Sequence, residues 1–310
     1  MLEVMSTAFR ALAPIYILLL IGYFCRRTGL VRGEDQPRMN SFGFTVFLPL
    51  NIFYNIYTSD FDFSVGGKTV LFVLLALVAV YFLNVLTIPH LPLARNRVGV
   101  VIQAITRGNA AILGVPIIAI LYPEAKALMS LVVAVAVPIY NISSIVTLEI
   151  FNGRKPKIGE ILLKIATNPL IIGSVLGIVF KLLSIPMSGF LLDTVKTLSG
   201  ASTPFLVITL GVFMRFKMRV DRTILLPLLG RLVLMPLLVL SAAYLLGFKG
   251  ASFACILVLF ITPTAVASFA TVQKLGGDAE LAGNTVILSS VLAFFTMLLW
   301  IALSMGLGII

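Results

Sequence analysis

The chain has 310 residues, of which 60% are hydrophobic and 11% are charged, and its formal net charge is +11. A soluble domain carries about 25% charged residues, whereas apolar runs of 18 or more residues, each a candidate membrane span, recur along this whole sequence. These values argue against a soluble enzyme and predict a polytopic membrane protein, whose short basic loops explain the positive charge better than a nucleic-acid partner does.

Ten membrane-spanning helices are predicted in chain order, with short connections between them. They cover residues 7–26, 38–57, 67–88, 97–121, 125–150, 164–184, 188–214, 222–246, 250–274 and 280–307. The first is too long for the apolar part of a signal peptide, and no small-residue cleavage site follows it. The predicted organisation is therefore a first half of residues 1–151, a cytoplasmic linker of residues 152–163 and a second half of residues 164–310.

The distribution of lysine and arginine predicts the orientation. The loops after spans one, three, five, seven and nine hold 15 of these residues, and the opposite side holds six. Because cytoplasmic loops of membrane proteins are enriched in Lys and Arg, the odd-numbered loops are predicted to be cytoplasmic and both termini to lie outside.

A weak internal repeat relates the two halves at an offset of 155 residues. The offset pairs Pro14 and Gly22 with Pro169 and Gly177, Pro49 with Pro204, and Gly108–Asn109 with Pro263–Thr264. An odd number of spans in each half forces the halves into opposite orientations. The prediction is an inverted repeat of two five-helix units, as in many secondary transporters.

Two spans carry helix-breaking residues at their middle. In Ile105–Leu121, Gly108 and Gly114 weaken the helix, and Pro116 removes an amide donor. The second break lies at Ile261–Phe269. Each break comes about 12 residues, or roughly 18 Å, into its span, so the two are predicted to cross near the middle of a ~30 Å hydrocarbon core. Half-helix N-termini at such a crossing would favour an anion.

Asn109 is the first candidate for substrate contact, because a carboxamide can donate two hydrogen bonds to a carboxylate. A helix cap is the alternative role. Thr262 and Thr264, which flank Pro263, either contact a ligand or bond back to their own helix. Arg107 has no acidic partner in the two broken spans, so it either faces helix C-termini or attracts an anionic substrate.

Five further polar residues fall within spans. Asn51 and Asn55 lie four residues apart on one helix face and either line a cavity or make interhelical hydrogen bonds. Arg231 is interpreted as a side chain that snorkels to the cytoplasmic surface. Gln103 and Ser268 are weaker candidates.

Several site types are not expected. All acidic residues fall in loops or near span ends, which argues against a sodium/proton exchanger with a carboxylate at mid-membrane. The single histidine, His90, and the isolated Cys25 and Cys255 have no metal-ligand spacing, so no metal site and no cofactor are predicted. Coupling to a sodium or proton gradient stays open, because carbonyls and hydroxyls can bind sodium without a carboxylate.

Two motifs resemble those of the auxin efflux carrier family. Arg107-Gly108-Asn109 followed by Gly114-Val115-Pro116 is similar to its fourth-span motif, and the stretch from Thr262 to Phe269 with Lys274 to Asp278 is similar to the ninth-span motif of bacterial members. The likeness covers essentially the whole chain. It departs at Gly108, where the family pattern has a proline, and this chain lacks the long central loop of plant members.

The resemblance implies the fold of sodium/proton antiporters and bile acid transporters. In that fold a scaffold of spans one, two, six and seven supports a transport domain of spans three to five and eight to ten, which moves as an elevator. Substrate binds where spans four and nine cross. In the plant PIN-FORMED carriers the residue matching Asn109 contacts the auxin carboxylate.

The predicted function is secondary transport of a small organic anion, such as a malonate-like or malate-like carboxylate or an auxin-like one, across the cell membrane. The predicted substrate-binding residues are Asn51, Asn55, Arg107, Gly108, Asn109, Thr262, Pro263 and Thr264. The alternatives are a sodium-coupled symporter of bile-acid-type anions and a receptor that binds an anion without moving it. No enzymatic activity is expected. The family resemblance implies a homodimer through the scaffold, but the sequence shows no interface signature.

Overall fold

The structure, a computed structural model, describes residues 2–58, 66–151, 158–213 and 222–310. Within these ranges the regular elements are helices, joined by one isolated β-bridge. Part of the predicted linker, residues 152–157, and part of the basic loop after span seven, residues 214–221, lie outside the described residues.

The described residues form fifteen α-helices, numbered here in chain order. They are α1 (Leu2–Arg27), α2 (Gln36–Phe42), α3 (Leu48–Tyr57), α4 (Gly67–Thr87), α5 (Arg95–Thr106), α6 (Ala110–Leu121), α7 (Lys126–Phe151), α8 (Ile158–Ala166), α9 (Pro169–Leu182), α10 (Gly189–Phe213), α11 (Leu225–Leu229), α12 (Met235–Leu245), α13 (Gly250–Ile261), α14 (Val266–Leu275) and α15 (Ala279–Gly306).

Five helical stretches in the described part of the chain are long and apolar enough to cross a membrane. They are Gly67–His90, Pro123–Phe151, Gly189–Phe213, Arg222–Leu245 and Ala279–Gly306. The structure therefore supports an all-helical membrane protein. The finer prediction of ten spans in two inverted halves stays a prediction.

The boundary of the predicted linker differs from the structure. Helix α8 begins at Ile158, inside the stretch predicted as linker, and ends at Ala166. The next helix starts at Pro169, where the Oδ1 atom of Asn168 accepts a hydrogen bond of 2.9 Å from the amide of Leu170. Asparagine is a preferred N-cap and proline a preferred first helical residue, so the local sequence explains why α9 begins at Pro169.

Two helices contain a short π-helical segment. One, Gly43–Phe47, joins α2 to α3, and the other, Gly230–Leu234, joins α11 to α12. A π segment inserts one extra residue into an α-helix and is often found at functional sites. Both segments begin at a glycine that packs tightly: a β-carbon on Gly230 would stand 2.7 Å from Cδ1 of Ile105.

Glycines bring two pairs of helices into close contact. Helices α1 and α10 meet at Gly22 and Gly211, and a β-carbon on Gly22 would lie 2.9 Å from the α-carbon of Gly211. Helices α9 and α3 meet where a β-carbon on Gly177 would lie 3.0 Å from Cβ of Ile56. Small residues allow such approaches between helices in membranes.

Helix α13 lies in the centre of the protein. Its residues from Phe253 to Ile261 are all buried, at most 2% exposed. A helix that is apolar on every side belongs inside a bundle rather than at its surface. Helix α13 therefore carries the second sequence break, which follows Ile261, into the protein core.

Candidate functional site

The two sequence breaks meet at an antiparallel β-bridge between Gly108 and Thr264. The amide of Asn109 donates to the carbonyl of Pro263 at 2.9 Å, and the amide of Ala265 donates to the carbonyl of Arg107 at 3.1 Å. These two bonds satisfy backbone groups that the interrupted helices leave without partners. This backbone contact is where the two interrupted spans cross, and its place at the middle of a membrane stays a prediction.

Each interrupted span consists of two helices separated by a few extended residues. Helix α5 ends at Thr106 and α6 begins at Ala110, while α13 ends at Ile261 and α14 begins at Val266. Neither α6 nor α14 has a side chain that caps its first amides. Two helix N-termini, each with unpaired N–H groups and a partial positive charge, therefore start at the bridge.

A cavity of about 620 Å³ opens beside these two N-termini. Its inner end is formed by Arg107, Gly108 and Asn109 together with Ala265 to Ala267. Its outer end reaches the exposed residues Thr58, Glu124 and Lys126, at the end of α3 and at the turn before α7. Between the two ends the wall is mostly apolar, with side chains of α3, α7 and α10. The cavity thus connects the bridge with one surface of the protein.

Asn109 lies at the inner end of this cavity. Asn109 is only 3% exposed, and its side-chain nitrogen Nδ2 has no hydrogen-bond partner among the described residues. The side chain does not cap α6, so the alternative role considered for Asn109 is not realised. A buried amide donor without a partner is costly, and a bound acceptor would satisfy it.

Arg107 is next to Asn109 and is 5% exposed. Its Nη2 donates to Oδ1 of Asn141 at 2.9 Å, and its Nη1 donates to Oγ1 of Thr271 at 3.2 Å. Both partners are neutral, so the charge of Arg107 at the wall of the cavity is not balanced by these bonds. Neither bond goes to a helix C-terminus, and the attraction of an anion by Arg107 stays a prediction.

Asn51 and Asn55 line the same cavity from α3. The Nδ2 atom of Asn51 donates to the carbonyl and to Oγ of Ser199, each at 3.0 Å, and Nδ2 of Asn55 donates to Oδ1 of Asn51 at 3.1 Å. Both roles considered for this pair therefore occur together: the side chains face the cavity and Asn51 links α3 to α10.

Thr262, Pro263 and Thr264 are buried and do not line the cavity. The hydroxyl of Thr262 donates to the carbonyl of Leu259 at 3.2 Å, and that of Thr264 donates to the carbonyl of Ala104 at 3.0 Å. Thr262 therefore bonds back to its own helix, as considered for the threonines, whereas Thr264 bonds across to α5, which was not considered. Gln103 and Ser268 are also buried away from the cavity.

Arg231 does not snorkel, and that interpretation is wrong. The residue is fully buried and its guanidinium donates to the backbone at the crossing, to the carbonyls of Ile105, Thr106, Leu259 and Thr262. Snorkelling requires a side chain that can reach the surface, whereas Gly230 and Arg231 lie on the side of the π segment that packs inward, with Arg231 bonded to α5 and α13. The depth of a residue in the sequence does not reveal this direction.

Sequence reasoning missed several residues of the cavity wall. Ser130 and Tyr140 of α7 and Thr203 of α10 line it, and Glu124 and Lys126 stand at its mouth. These residues lie in ordinary apolar helices or short turns, with no break that marks them. Only the packing of α7 and α10 around the crossing brings them together.

Comparison with known proteins gives one family match and one relative. The model of a family described as membrane transport protein matches residues 7–301. The chain is also similar to an uncharacterized transporter of Methanothermobacter thermautotrophicus, with 23% identity over 296 residues, 92% of this chain and 95% of the relative. The matched residues include both interrupted spans and the residues that line the cavity.

Proposed function

Since this chain belongs to the membrane transport protein family, which includes the auxin efflux carriers, we propose that it is a secondary transporter of a small organic anion. The observation that carries this proposal is the free Nδ2 donor of Asn109, buried beside Arg107 at the inner end of the cavity. The proposed place is the cell membrane, with both termini on the outer side.

The electrostatics of the inner end favour a carboxylate. Two uncapped helix N-termini, those of α6 and α14, begin there, and each contributes roughly half a positive charge. The guanidinium of Arg107 adds a full charge at the wall of the cavity. An anion is the ligand that such groups bind, and a carboxylate offers the acceptors that the amide of Asn109 needs.

The packing of the helices supports an inverted repeat behind this site. Gly22 of span one contacts Gly211 of span seven, and Gly177 of span six contacts Ile56 of span two. An offset of 155 residues converts the first contact into the second, because Gly22 corresponds to Gly177 and Ile56 corresponds to Gly211. This is the pairing that two inverted halves require, and such halves favour alternating access by movement of one domain against the other.

The proposal is tested by ligand-induced thermal stabilisation of the purified protein. A panel of mono- and dicarboxylates, aliphatic and aromatic, is screened with and without sodium at two pH values. A ligand that binds only the folded state stabilises it by roughly 2.7 kcal/mol at one hundred times its dissociation constant. We expect one carboxylate class to raise the Tm, and we expect Asn109→Ala to abolish this rise.

Asn84→Ala is the matched control. Asn84 is also a buried asparagine, but it bonds to the carbonyl of Val80 and does not line the cavity. This variant should lose stability and keep the ligand-induced shift, whereas Asn109→Ala should keep stability and lose the shift. Uptake of the same carboxylate into proteoliposomes then separates a carrier from a receptor, since a receptor binds without uptake. A wild-type ligand shift in Asn109→Ala would refute the site.

A further inference from the structure

Arg231 makes five hydrogen bonds from a fully buried position on the π segment Gly230–Leu234. Its Nε donates to the carbonyl of Thr262 at 2.8 Å, and its Nη2 donates to the carbonyl of Leu259 at 3.1 Å and to Oγ1 of Thr262 at 3.3 Å. Its Nη1 donates to the carbonyls of Ile105 and Thr106 at 3.3 and 3.4 Å.

The four carbonyls belong to the C-terminal ends of two helices, α5 and α13, and to the extended residue after α13. The last carbonyls of a helix have no amide partner within it and carry a partial negative charge. One guanidinium therefore bridges the negative ends of both interrupted helices. The acceptors of these five bonds are carbonyl and hydroxyl oxygens, and no carboxylate is among them.

Carbonyls of this kind have a known use in transporters with interrupted helices. Unwound backbone carbonyls and half-helix C-terminal ends there coordinate the coupling cation, such as Na⁺. In this chain the corresponding carbonyls already have a cation, which is covalently attached and always charged. The space beside them is also filled, since a β-carbon on Gly108 would stand 2.7 Å from Cζ of Arg231.

We propose that Arg231 is a resident cation that replaces a coupling cation at the crossing, so that the native crossing needs no sodium ion to hold its two helix ends together. Arg231 is thus a positioning residue: it keeps α5 and α13 in place, and these helices in turn fix Arg107 and Asn109 at the cavity. The role in transport rests on the proposed function, but the cation site itself can be tested without a substrate.

The first test removes the resident cation and offers a free one. The Tm of Arg231→Ala is measured in choline chloride, in sodium chloride and in low-millimolar guanidinium chloride, all at equal ionic strength. We expect a lower Tm than in the wild type and a clear recovery with guanidinium or sodium, because a cation can then enter the vacated site. The wild type should show no such rise. Absence of recovery with either cation would overturn the proposal.

Arg26→Ala is the matched control for this test. Arg26 also donates from Nη1 to the last carbonyls of a helix, those of Val212 and Phe213 at the end of α10, but this contact involves neither α5 nor α13 and is only part-buried. A general effect of guanidinium on helix ends would raise the Tm of both variants equally. The proposal requires recovery in Arg231→Ala alone, and equal recovery in both would count against it.

The second test follows transport. With a carboxylate identified in the panel, wild-type uptake should be the same in sodium and in choline, and Arg231→Lys, which keeps a cation, should retain more than Arg231→Ala. Uptake by Arg231→Ala should fall at least tenfold and regain several-fold with added guanidinium or sodium. Wild-type uptake that requires sodium would refute the resident cation.

Should no carboxylate be taken up, the transport proposal fails while the thermal test still decides on Arg231. Should Arg231→Ala not fold, recovery of folded protein on addition of guanidinium becomes the decisive measurement, and its failure overturns the proposal.

Discussion

Gly108 and Arg231 are in direct contact, so that any side chain at position 108 would meet the guanidinium of Arg231. A β-carbon on Gly108 would stand 2.7 Å from Cζ of Arg231 and 2.9 Å from Oγ1 of Thr262. The backbone of Gly108 is not in the left-handed region, so glycine is needed here for space rather than for conformation. The proline that the family resemblance leads one to expect at this position would meet the same guanidinium.

Gly108→Ala should therefore destabilise the protein. A flexible side chain would move aside, but five hydrogen bonds hold Arg231. We expect a loss of about 1–3 kcal/mol, as for other overpacked sites, and a lower Tm. Gly200→Ala is the control, because nothing lies within 4 Å of its β-carbon position. Gly108→Ala should lower the free energy of unfolding by a smaller amount in an Arg231→Ala background, because the effects of mutating two residues in contact are not additive. An equal loss in both backgrounds would exclude the contact as the cause.

Arg107→Gln should weaken anion binding much more than it weakens the fold. A hydrogen bond to a charged group contributes about 1.5–3 kcal/mol, which corresponds to an affinity loss of roughly ten- to a hundredfold. The glutamine can still reach Asn141 or Thr271, the present partners of the guanidinium. Titration of the stabilising carboxylate, followed by Tm or calorimetry, measures the loss. An unchanged Kd would place the anion elsewhere.

The end of the protein opposite the cavity mouth is closed by side-chain contacts between α2 and α14. Gln36 and Gln273 donate to each other, at 3.2 and 2.8 Å, and Nζ of Lys274 donates to Oγ of Ser41 at 3.1 Å. In the proposed arrangement α2 belongs to the scaffold and α14 to the transport domain. These bonds therefore connect the two parts that an elevator movement would separate.

Replacing both glutamines by alanine should loosen this closed end. Each net hydrogen bond contributes about 0.5–1.5 kcal/mol, enough to change the populations of two states severalfold. We expect faster hydrogen–deuterium exchange in α2 and in the last turn of α14, with α13 unaffected, and an altered uptake rate. Thr28→Val serves as control, since the Thr28 hydroxyl bonds only within its own helix turn. If exchange in α2 does not change, the contact does not hold this end closed.

Asp278 has two bonds that can be removed separately. Its Oδ1 accepts from the amide of Leu281 at 2.9 Å and caps α15, and its Oδ2 accepts from Nε of Arg97 at 2.8 Å. Asp278→Asn should keep the cap and lose the charge, while Asp278→Ala loses both. We expect about 1 kcal/mol for the cap and a similar amount for the part-buried ion pair. The free energy of unfolding, measured by chemical or thermal unfolding, should therefore be highest in the wild type, lower in Asp278→Asn and lowest in Asp278→Ala. Equal losses of stability in the two variants would contradict the capping role.

The sequence was sufficient to locate the crossing, for a physical reason. Glycine, proline and polar residues inside apolar runs have few uses in a membrane, and Asn109 and Pro263 mark places where backbone must be satisfied by another segment. The four-residue spacing of Asn51 and Asn55 likewise predicted a shared face. These features depend on local chemistry and spacing, which can be read from the chain alone.

The role of Arg231 could not be found in this way. Its function depends on the direction in which the side chain leaves the helix, and a π segment shifts that direction by one residue relative to an ordinary helix. The same holds for Tyr140 and Thr203, which reach the cavity only because α7 and α10 pack around it. Contacts between distant segments decide these positions, and no local pattern encodes them.

The π segment at Gly230–Leu234 makes the site sensitive to helix length. Removing one residue from this segment would restore regular α-helical winding, and α11 and α12 would keep nearly their present relative orientation, because a π segment absorbs its extra residue by widening a single turn. The change would be confined to the segment, whose remaining side chains would leave the helix in new directions. A deletion here should therefore disturb the contacts of Gly230 and Arg231 more than the packing of α12. An insertion should be the more harmful change, since it would turn α12 by about 100° relative to α11 unless it were absorbed as a second bulge.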